Sequence, residues 1–433
     1  MSEALPDGFQ MTELGPLPEE WAVVKLGQVV TVSTKVVDPS TVGAKRYVGL
    51  EHIQSGSVRL RHWGKADDVR SLKTRFQQGD VLYGKLRPYL DKAVLAEWEG
   101  VCSTDILVLK AQESLLSEFL VFLVHTPQFI EYAVSTMTGV NHPRTSWKAL
   151  RTFALPLPPI GEQRAIAYVL RTVQRAKEAT EGVIAALRQL KKSLMQHLFT
   201  YGPVPVTERD RVPLKETEIG PIPAHWRVVR LGEVLQLIRN GLTHRQERTD
   251  KGFPVTRIET ISTGAVNPYK VGYVSAIDKQ RIEKYRLWPG DILFSHINSE
   301  VHLGKTAIYE GNPPLLLHGM NLLLLRTNGQ LCDAYFLFYL LNLYRVNGIF
   351  LRLAARAVGQ ASINMGKLRN LLVPLPEFPE QREIARILQA VDQKIAAEEA
   401  RRGALEAVFK SLLQQLMTGR IRVKDLPIPQ PEA

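Results

Sequence analysis

The chain has 433 residues, a formal net charge of +12 and two isolated cysteines. This length predicts two or more domains, and the two cysteines exclude a disulfide framework and a cysteine-rich zinc site. The apolar runs are shorter than the roughly 20 residues that span a bilayer, and the N-terminus lacks a signal-peptide pattern, so we expect a cytoplasmic protein without membrane association. The basic excess favours a polyanionic partner such as nucleic acid.

The first recognisable element is an opening segment, ELGPLPEEWAVVKLGQVV at 13–30, which recurs as EIGPIPAHWRVVRLGEVL at 218–235. Three more pairs follow in the same order: GDVLYGKLRP (79–88) with GDILFSHINS (290–299), SEFLVFLVH (117–125) with DAYFLFYLL (333–341), and LPLPPIGEQRAIAYVL (155–170) with VPLPEFPEQREIARIL (373–388). Four ordered matches indicate that the chain contains two copies of one module.

Each module begins with a mixed globular part. Short runs rich in Val, Ile and Tyr, bounded by Gly and Pro turns, predict strands at RYVGL (46–50), DVLYG (80–84), DILVL (105–109) and DILFS (291–295). Residues 115–136 and 333–357 are predicted to be helical. The predicted fold class is therefore α/β (α+β), with two similar globular domains.

A long helix is predicted after each Pro-Leu-Pro. Apolar residues recur there at alternating spacings of four and three, which is typical of a coiled-coil seam. Each helix has about 38 residues and a length of about 57 Å. The seam residues are Ile166, Leu170, Val173, Ile184, Leu187, Leu194 and Leu198 in the first helix, and Ile384, Leu388, Val391, Ile395, Leu405, Phe409, Leu412 and Leu416 in the second.

The two apolar stripes have the same spacing and length, which favours pairing of the helices with each other. The alternative is that each helix packs on its own globular domain. Polar residues that interrupt the stripes select register and orientation, and we expect Lys177 or Lys191 to meet Glu398. An antiparallel pair gives a pseudo-two-fold molecule and places the opening segment at 13–30 near the end of the second helix.

Two fragments resemble catalytic motifs and are interpreted as turns. Asn312-Pro313-Pro314 is followed by Leu315, where amino-group methyltransferases have an aromatic residue that stacks on the flipped base. Gly304-Lys305-Thr306 resembles the end of a P-loop, but Ser299 stands where the first glycine is required. The histidines lack metal-ligand spacing, so neither a catalytic nor a metal site is predicted.

Side chains that hydrogen-bond base edges cluster in polar loops of both modules, and the alternative is that they are solvated loop residues. The candidate DNA-binding residues are Lys85, Arg87, Tyr89, Asn141, His142 and Arg144 in the first module, and Asn240, Thr243, His244, Arg245, Arg257, Ser295, His296, Asn298, Gln360 and Asn364 in the second. Matching loops differ while the flanking segments are kept, as expected for recognition of two different sequences.

The paired Pro-Leu-Pro…Glu-Gln-Arg helices, the EIGPIPAHW segment and the GDILFS strand resemble the specificity (S) subunit of type I restriction–modification systems over essentially the full chain. The resemblance implies target-recognition domains at 1–155 and 203–373 that bind the halves of an interrupted DNA site. It implies an antiparallel spacer from the helix at 156–202 and from 374–433, which holds the second helix and a tail.

The same resemblance implies the partners. Two modification (M) subunits would carry S-adenosylmethionine, accept the flipped adenine and methylate its N6. Restriction (R) subunits would use ATP and Mg²⁺, and this chain would be non-catalytic and bind no cofactor itself. The alternatives are a related restriction system with a fused methylase and nuclease partner, an autonomous DNA-modifying enzyme, or a coiled-coil scaffold without a DNA role.

Charge is distributed unequally between the two modules. Residues 1–160 hold 17 basic and 17 acidic side chains, whereas residues 218–373 hold 19 basic and 11 acidic ones. Phosphate contacts make DNA binding salt-dependent, so we expect substitutions in the second domain to reduce the salt dependence more than those in the first.

Overall fold

The computed structural model describes residues 5, 7–39, 43, 45–247, 251–275, 277–357, 360–424 and 426, without the side chains of 356, 357 and 360. The chain forms two compact units. The first comprises Met1–Glu181 with Glu399–Ala433, and the second comprises Gly182–Glu398. Each of two long helices begins in one unit and ends in the other.

The first unit contains two main sheets. Its strands are β1 (Phe9–Thr12), β2 (Gly15–Pro18), β3 (Ala22–Lys25), β4 (Val30–Val32), β5 (Val36–Val37), β6 (Arg46–Val48), β7 (Gly64–Lys65), β8 (Lys73–Phe76), β9 (Val81–Gly84), β10 (Ala93–Leu95), β11 (Gly100–Cys102), β12 (Ile106–Ala111) and β13 (Ala154–Leu157). One sheet has the order β10-β9-β12-β4 and the other β5-β8-β11-β6-β7; β1 pairs with β2, and β13 with β3. The helices are α1 (Leu26–Val29), α2 (Ser117–Leu123), α3 (Pro127–Ser135), α4 (Trp147–Leu150) and the long α5 (Ile160–Tyr201).

The second unit has one four-stranded sheet and several smaller ones. Its strands are β14 (Leu214–Lys215), β15 (Ile222–Pro223), β16 (Arg227–Arg230), β17 (Leu235–Asn240), β18 (Phe253–Thr256), β19 (Val271–Val274), β20 (Ile292–Phe294), β21 (Ile297–Asn298), β22 (Thr306–Ile308), β23 (Leu323–Thr327), β24 (Ala355–Ala357), β25 (Gln360–Ser362) and β26 (Leu372–Leu375). The helices are α6 (Lys279–Tyr285), α7 (Ala334–Val346), α8 (Ile349–Leu353), α9 (Met365–Arg369) and the long α10 (Phe378–Met417). The sheet orders are β17-β23-β20-β22 and β21-β25-β24, with pairs β14-β15, β16-β26 and β18-β19.

The two units share one strand order. The order β4-β12-β9-β10 in the first corresponds to β17-β23-β20-β22 in the second, and the repeated Gly-Asp segments lead into β9 and β20. The repeated Pro-Leu-Pro segment forms a strand that pairs antiparallel with the opening segment, Pro156 opposite Val23 and Pro374 opposite Val228. The prediction of two similar mixed α and β domains is confirmed.

The glutamine of the repeated Glu-Gln-Arg is a structural residue. Gln163 is buried, accepts a hydrogen bond from the Leu116 amide at 2.9 Å and donates to the Ser114 carbonyl at 2.9 Å. Gln381 is also buried and makes the same two contacts within 331–333, at 2.9 and 3.0 Å. Each glutamine therefore links the start of a long helix by two hydrogen bonds to the segment before α2 or α7. This shared structural role explains why the motif occurs twice.

The two long helices run antiparallel. In the first unit, Leu170 near the start of α5 belongs to the same apolar cluster as Phe409 near the end of α10. In the second unit, Leu198 near the end of α5 clusters with Ile384 near the start of α10. Since each unit joins the start of one helix to the end of the other, the predicted antiparallel orientation is confirmed.

The helix stripes also contact the globular parts, so the two packing alternatives are not exclusive. Phe119 and Leu120 of α2 belong to the cluster that contains Leu170 and Phe409. Every seam residue named above is buried or half-buried. Full burial of one such side chain stabilises the fold by about 1.5–3 kcal/mol, and the half-buried side chains contribute less.

The predicted partner of Lys191 is wrong. Its ammonium group contacts both carboxylate oxygens of Asp392, at 2.6 and 2.8 Å. Glu398 instead pairs with Lys394, four residues earlier on the same helix, at 2.9 Å. Spacing alone could not find Asp392, because the flexible lysine side chain extends past the seam to the flanking position of the other helix.

A glycine with positive φ follows each long helix: Gly202 at +81° directly after α5, and Gly419 at +67° two residues after α10. A Cβ at Gly202 would lie 2.7 Å from Oε1 of Glu380, and one at Gly419 would lie 2.5 Å from Cδ of Pro18. Only glycine accepts this conformation and this close approach without strain. The contact with Pro18 confirms that the opening segment lies near the end of the second helix.

Candidate DNA-binding surfaces

In the first unit, the predicted residues come together on two neighbouring loops, 85–91 and 138–145. The amide of Arg87 donates to the Pro143 carbonyl at 2.8 Å, and the amide of Thr145 donates to the Lys85 carbonyl at 3.1 Å. We call this group the first surface; its members are Lys85, Arg87, Tyr89, Asn141, His142 and Arg144. Residues more than 50 positions apart in sequence therefore share one surface.

The members of the first surface differ in how free they are to bind a ligand. Arg87, Asn141 and His142 are exposed, and Tyr89 is 51% exposed. Arg144 instead donates to both oxygens of Asp105, at 2.8 and 3.3 Å, and these hydrogen bonds hold the pKa of Asp105 below its usual value. Arg144 therefore positions the second loop.

A buried histidine fixes the first loop at its base. Nδ1 of His125 lies 2.6 Å from Asp91, and Nε2 lies 2.9 Å from the carbonyl of Ala93. Arg87 and Asp91 stand at the two ends of the loop and have backbone φ values of 51° and 50°, which residues other than glycine rarely adopt. The hydrogen-bonded base holds this strained conformation in place.

In the second unit, His244, Arg245 and Arg257 line one cleft of about 580 Å³. The backbone at its edge is tightly packed: a Cβ at Gly241 would lie 1.9 Å from the carbonyl oxygen of Gly319. Glycine is therefore required where the two chain segments cross. We call this cleft the second surface.

A separate group in the second unit forms where β21 pairs with β25. Ser295 and His296 are 1% and 8% exposed, and burial lowers the pKa of His296. Their side chains are enclosed and have no open path to a base edge in this conformation. Sequence reasoning could not anticipate this, because the two residues follow the end of strand β20 but remain as buried as the strand itself.

The remaining predicted residues lie in varied settings. Asn298 is half-buried, and its side-chain oxygen accepts from the Ser299 amide at 2.8 Å. Asn364 caps α9 by accepting from the Lys367 amide at 2.7 Å. Asn240 and Thr243 are exposed beside the second surface, and the side chain of Gln360 lies outside the described residues.

Sequence reasoning missed an aromatic and cationic group in the first unit. The guanidinium of Arg46 lies 5.0 Å from the ring centre of Trp63 and 4.7 Å from that of Trp98. Trp63 is 47% exposed. Exposed aromatic rings beside arginine suit stacking on nucleobases, and the basic run with Trp63 at 59–65 was the available signal.

The structure places one motif-like fragment at the start of a strand and the other in a bend. Gly304-Lys305-Thr306 leads into strand β22, whereas a P-loop leads into a helix. The segment at 312–314 forms bends with a cis peptide bond before Pro313. Within the described ranges, the chain shows no cluster of three or more metal-ligating side chains, and none of its helices is long and apolar enough to cross a membrane.

The model of one protein family, the type I restriction modification DNA specificity domain, matches residues 18–189 and again 223–407. The chain belongs to this family. It carries two copies of the specificity domain, one for each module, and it is the DNA-recognition type of subunit, which is non-catalytic and carries no cofactor itself.

Curated relatives and solved structures agree. The chain is 25% identical to the type I restriction enzyme MjaVIII specificity subunit of Methanocaldococcus jannaschii over 95% of both chains. It is 50% identical to the putative MjaX specificity subunit of the same organism over 204 residues, about half of each chain at 47% and 48%. The S subunit of M. genitalium has the same fold, with a TM-score of 0.59 and 15% identity over 96% of this chain and 98% of that one.

Proposed function

We propose that this specificity subunit binds an interrupted DNA site, with one half-site recognised by each globular domain. The observation that supports this most directly is the shared strand order β4-β12-β9-β10 and β17-β23-β20-β22, in which the loops after the strands differ between the units. A common framework with different loops suits recognition of two unrelated sequences. The two domains are those predicted at 1–155 and 203–373, with the long helices as the spacer.

The base-contacting residues are proposed from the two surfaces. In the first they are Arg87, Tyr89, Asn141 and His142, which are exposed, with Lys85 beside them. In the second they are His244, Arg245 and Arg257, with Asn240 and Thr243 at the edge. Arginine and asparagine match guanine and adenine edges in the major groove. Ser295 and His296 are left out because they are buried.

The partners are proposed from the family. Two modification subunits would dock on the long helices, bind S-adenosylmethionine and methylate adenine N6 after flipping the base. Restriction subunits would supply cleavage with ATP and Mg²⁺. This chain would then act in the cytoplasm, where its DNA lies, and would decide where the complex binds.

The direct test is methylome sequencing of cells that carry this chain with its modification subunit. We expect one methylated motif with two specified halves and a fixed gap. A variant with His244→Ala and Arg245→Ala should alter or abolish recognition of one half while the other stays unchanged. Lys279→Ala, an exposed change on α6, is the matched control. A continuous motif, or simultaneous loss of both halves with the folded complex intact, would contradict the proposal.

A further inference from the structure

The second unit contains a basic cleft that the proposed recognition surfaces do not use. It has a volume of about 460 Å³ and is lined by Lys305 and Thr306 before and in β22, by Asn342 and Arg345 of α7, by Phe338, by Lys191 of α5 and by the turn at 262–264. We call it the basic cleft. Three different parts of the fold therefore bring cationic side chains to one place.

Two of these cations lack a carboxylate partner. The ammonium of Lys305 donates to the Ser262 carbonyl at 2.6 Å, and Nη2 of Arg345 donates to the Val301 carbonyl at 2.9 Å. In the part of the chain that the structure describes, neither forms an ion pair. Burial, together with the charge of Arg345, lowers the pKa of Lys305. Lys191 differs, because Asp392 neutralises it.

The wall of the basic cleft also holds unpartnered polar groups. Thr306 is 1% exposed, and its hydroxyl has no hydrogen-bond partner among the described residues. The same holds for Nε of Arg345. Leaving a buried donor unsatisfied costs about 1–3 kcal/mol. A bound anion with several oxygens would accept from such donors and offset the repulsion between the two cations.

The shape of the site limits the anion. Gly304-Lys305-Thr306 leads into strand β22, whereas the phosphate-binding segment of a P-loop leads into the N-terminus of a helix. One cationic donor just before a strand and one on a helix suit a single tetrahedral oxoanion. The cleft is also close to β21, because the amide of Ser295 donates to the carbonyl of Lys305 at 2.8 Å.

We propose that the basic cleft binds a single phosphate group, supplied either by the DNA backbone or by free inorganic phosphate. Lys305 and Arg345 provide the charge, and Thr306 provides a hydroxyl donor. The backbone source rests on the proposed DNA-binding function, whereas the free-phosphate source is independent of it.

The first arm of the test uses inorganic phosphate. The full-length chain, Lys305→Gln and Arg345→Gln are titrated by ³¹P NMR and by thermal denaturation, against chloride at equal ionic strength. If free phosphate is the ligand, wild type binds and is stabilised, and both variants lose at least about tenfold in affinity. Lys305→Arg should retain binding, which separates the charge from a structural role, and Lys279→Gln is the control.

The second arm uses duplex DNA that contains the methylated motif, over a salt series. If a backbone phosphate is the ligand, Lys305→Gln lowers the affinity equally for all sequences and reduces the slope of log K against log salt by about 0.9. Lys305→Arg and Lys279→Gln should keep the wild-type slope. Circular dichroism of each variant establishes that it is folded.

The two hypotheses can fail separately. The basic-cleft proposal is overturned if folded Lys305→Gln and Arg345→Gln match wild type in both arms. If the chain with its modification subunit shows no sequence-specific methylation, the proposed function fails. Phosphate binding that depends on Lys305 would still support the basic cleft in that case.

Discussion

The two units carry an equivalent tryptophan and glutamate at the helix ends, but these side chains have different hydrogen-bond partners in each unit. In the first, the indole nitrogen of Trp21 donates to the buried Glu162 at 2.8 Å, and Arg422 donates to the two oxygens of Glu162 at 2.7 and 2.9 Å. In the second, Glu380 occupies the place of Glu162 and lies 3.0 Å from His225. The buried Trp226 indole nitrogen has no partner among the described residues.

The difference arises from the residues just beyond each terminal glycine. Three residues after Gly419 stands Arg422, which also contacts Glu20 at 2.6 Å. Three residues after Gly202 stands Pro205, which has no side-chain donor, and the chain continues toward the second opening segment. The two units therefore share a framework but differ in the stability of the helix ends, because one residue outside the repeat neutralises the buried carboxylate in the first unit only.

Among the substitutions at the helix ends, the largest effect is expected from removing the buried charge. Glu162→Gln leaves Arg422 without its main partner and should lower the free energy of unfolding by about 3 kcal/mol. Glu380→Gln should cost about 1 kcal/mol, because the carboxylate and its histidine are more exposed. Urea denaturation with hydrogen exchange would locate each loss in its unit. Equal losses would remove the distinction between the two sites.

Substitution of the two equivalent tryptophans compares the helix ends of the two units without changing any charge. Trp21→Phe removes a hydrogen bond to a carboxylate and should cost about 2 kcal/mol, including lost packing. Trp226→Phe removes no hydrogen bond seen in the structure, so its cost should be smaller by about 1 kcal/mol. Both rings are almost fully buried, at 2% and 0% exposed, so the packing loss is matched. A larger loss at Trp226 would contradict the assignment.

The second unit should be more acid-sensitive because of His318. Burial lowers the pKa of His318 to about 3 in the folded state, against about 6.5 when unfolded. The unfolded chain therefore binds a proton first, and stability falls as the pH drops from about 6.5 toward 3, by up to about 1.4 kcal/mol per pH unit. His318→Gln should flatten this dependence in urea denaturation at several pH values. His302→Gln, an exposed control, should leave it unchanged.

The smallest effect is expected in the salt dependence of DNA binding. Arg245→Ala in the second surface should reduce the slope of log K against log salt by up to about 0.9, and more than Lys85→Ala in the first. The reason is the basic excess of residues 218–373 against the balanced charge of 1–160. Equal slopes for the two variants would refute the prediction.

The sequence predicted the framework better than the surfaces. The alternating spacing after each Pro-Leu-Pro, the terminal glycines and the repeated opening segment were enough to predict the long helices and their antiparallel orientation. These features arise from local chemistry and from periodicity, which a single sequence displays. The five-stranded sheet of the first unit, by contrast, was not predicted, because its short strands pair residues that are far apart in the chain.

The candidate site was predicted only in part for the same reason. Loop polarity predicted Arg87, His142 and Arg245, which the structure shows to be exposed. It could not show that Ser295 and His296 are buried or that Arg144 is held by Asp105. Loop polarity also gave no sign that Arg46 contacts two tryptophan rings or that Lys305 and Arg345 line the same cleft.

The sequence by itself determined that the chain has two modules, two long helices and loops that differ between otherwise matching segments. Only the tertiary structure decided which polar side chains are exposed, which are neutralised and which share a cleft. The physical reason is that periodicity acts along the chain, whereas burial and charge pairing depend on distances through space.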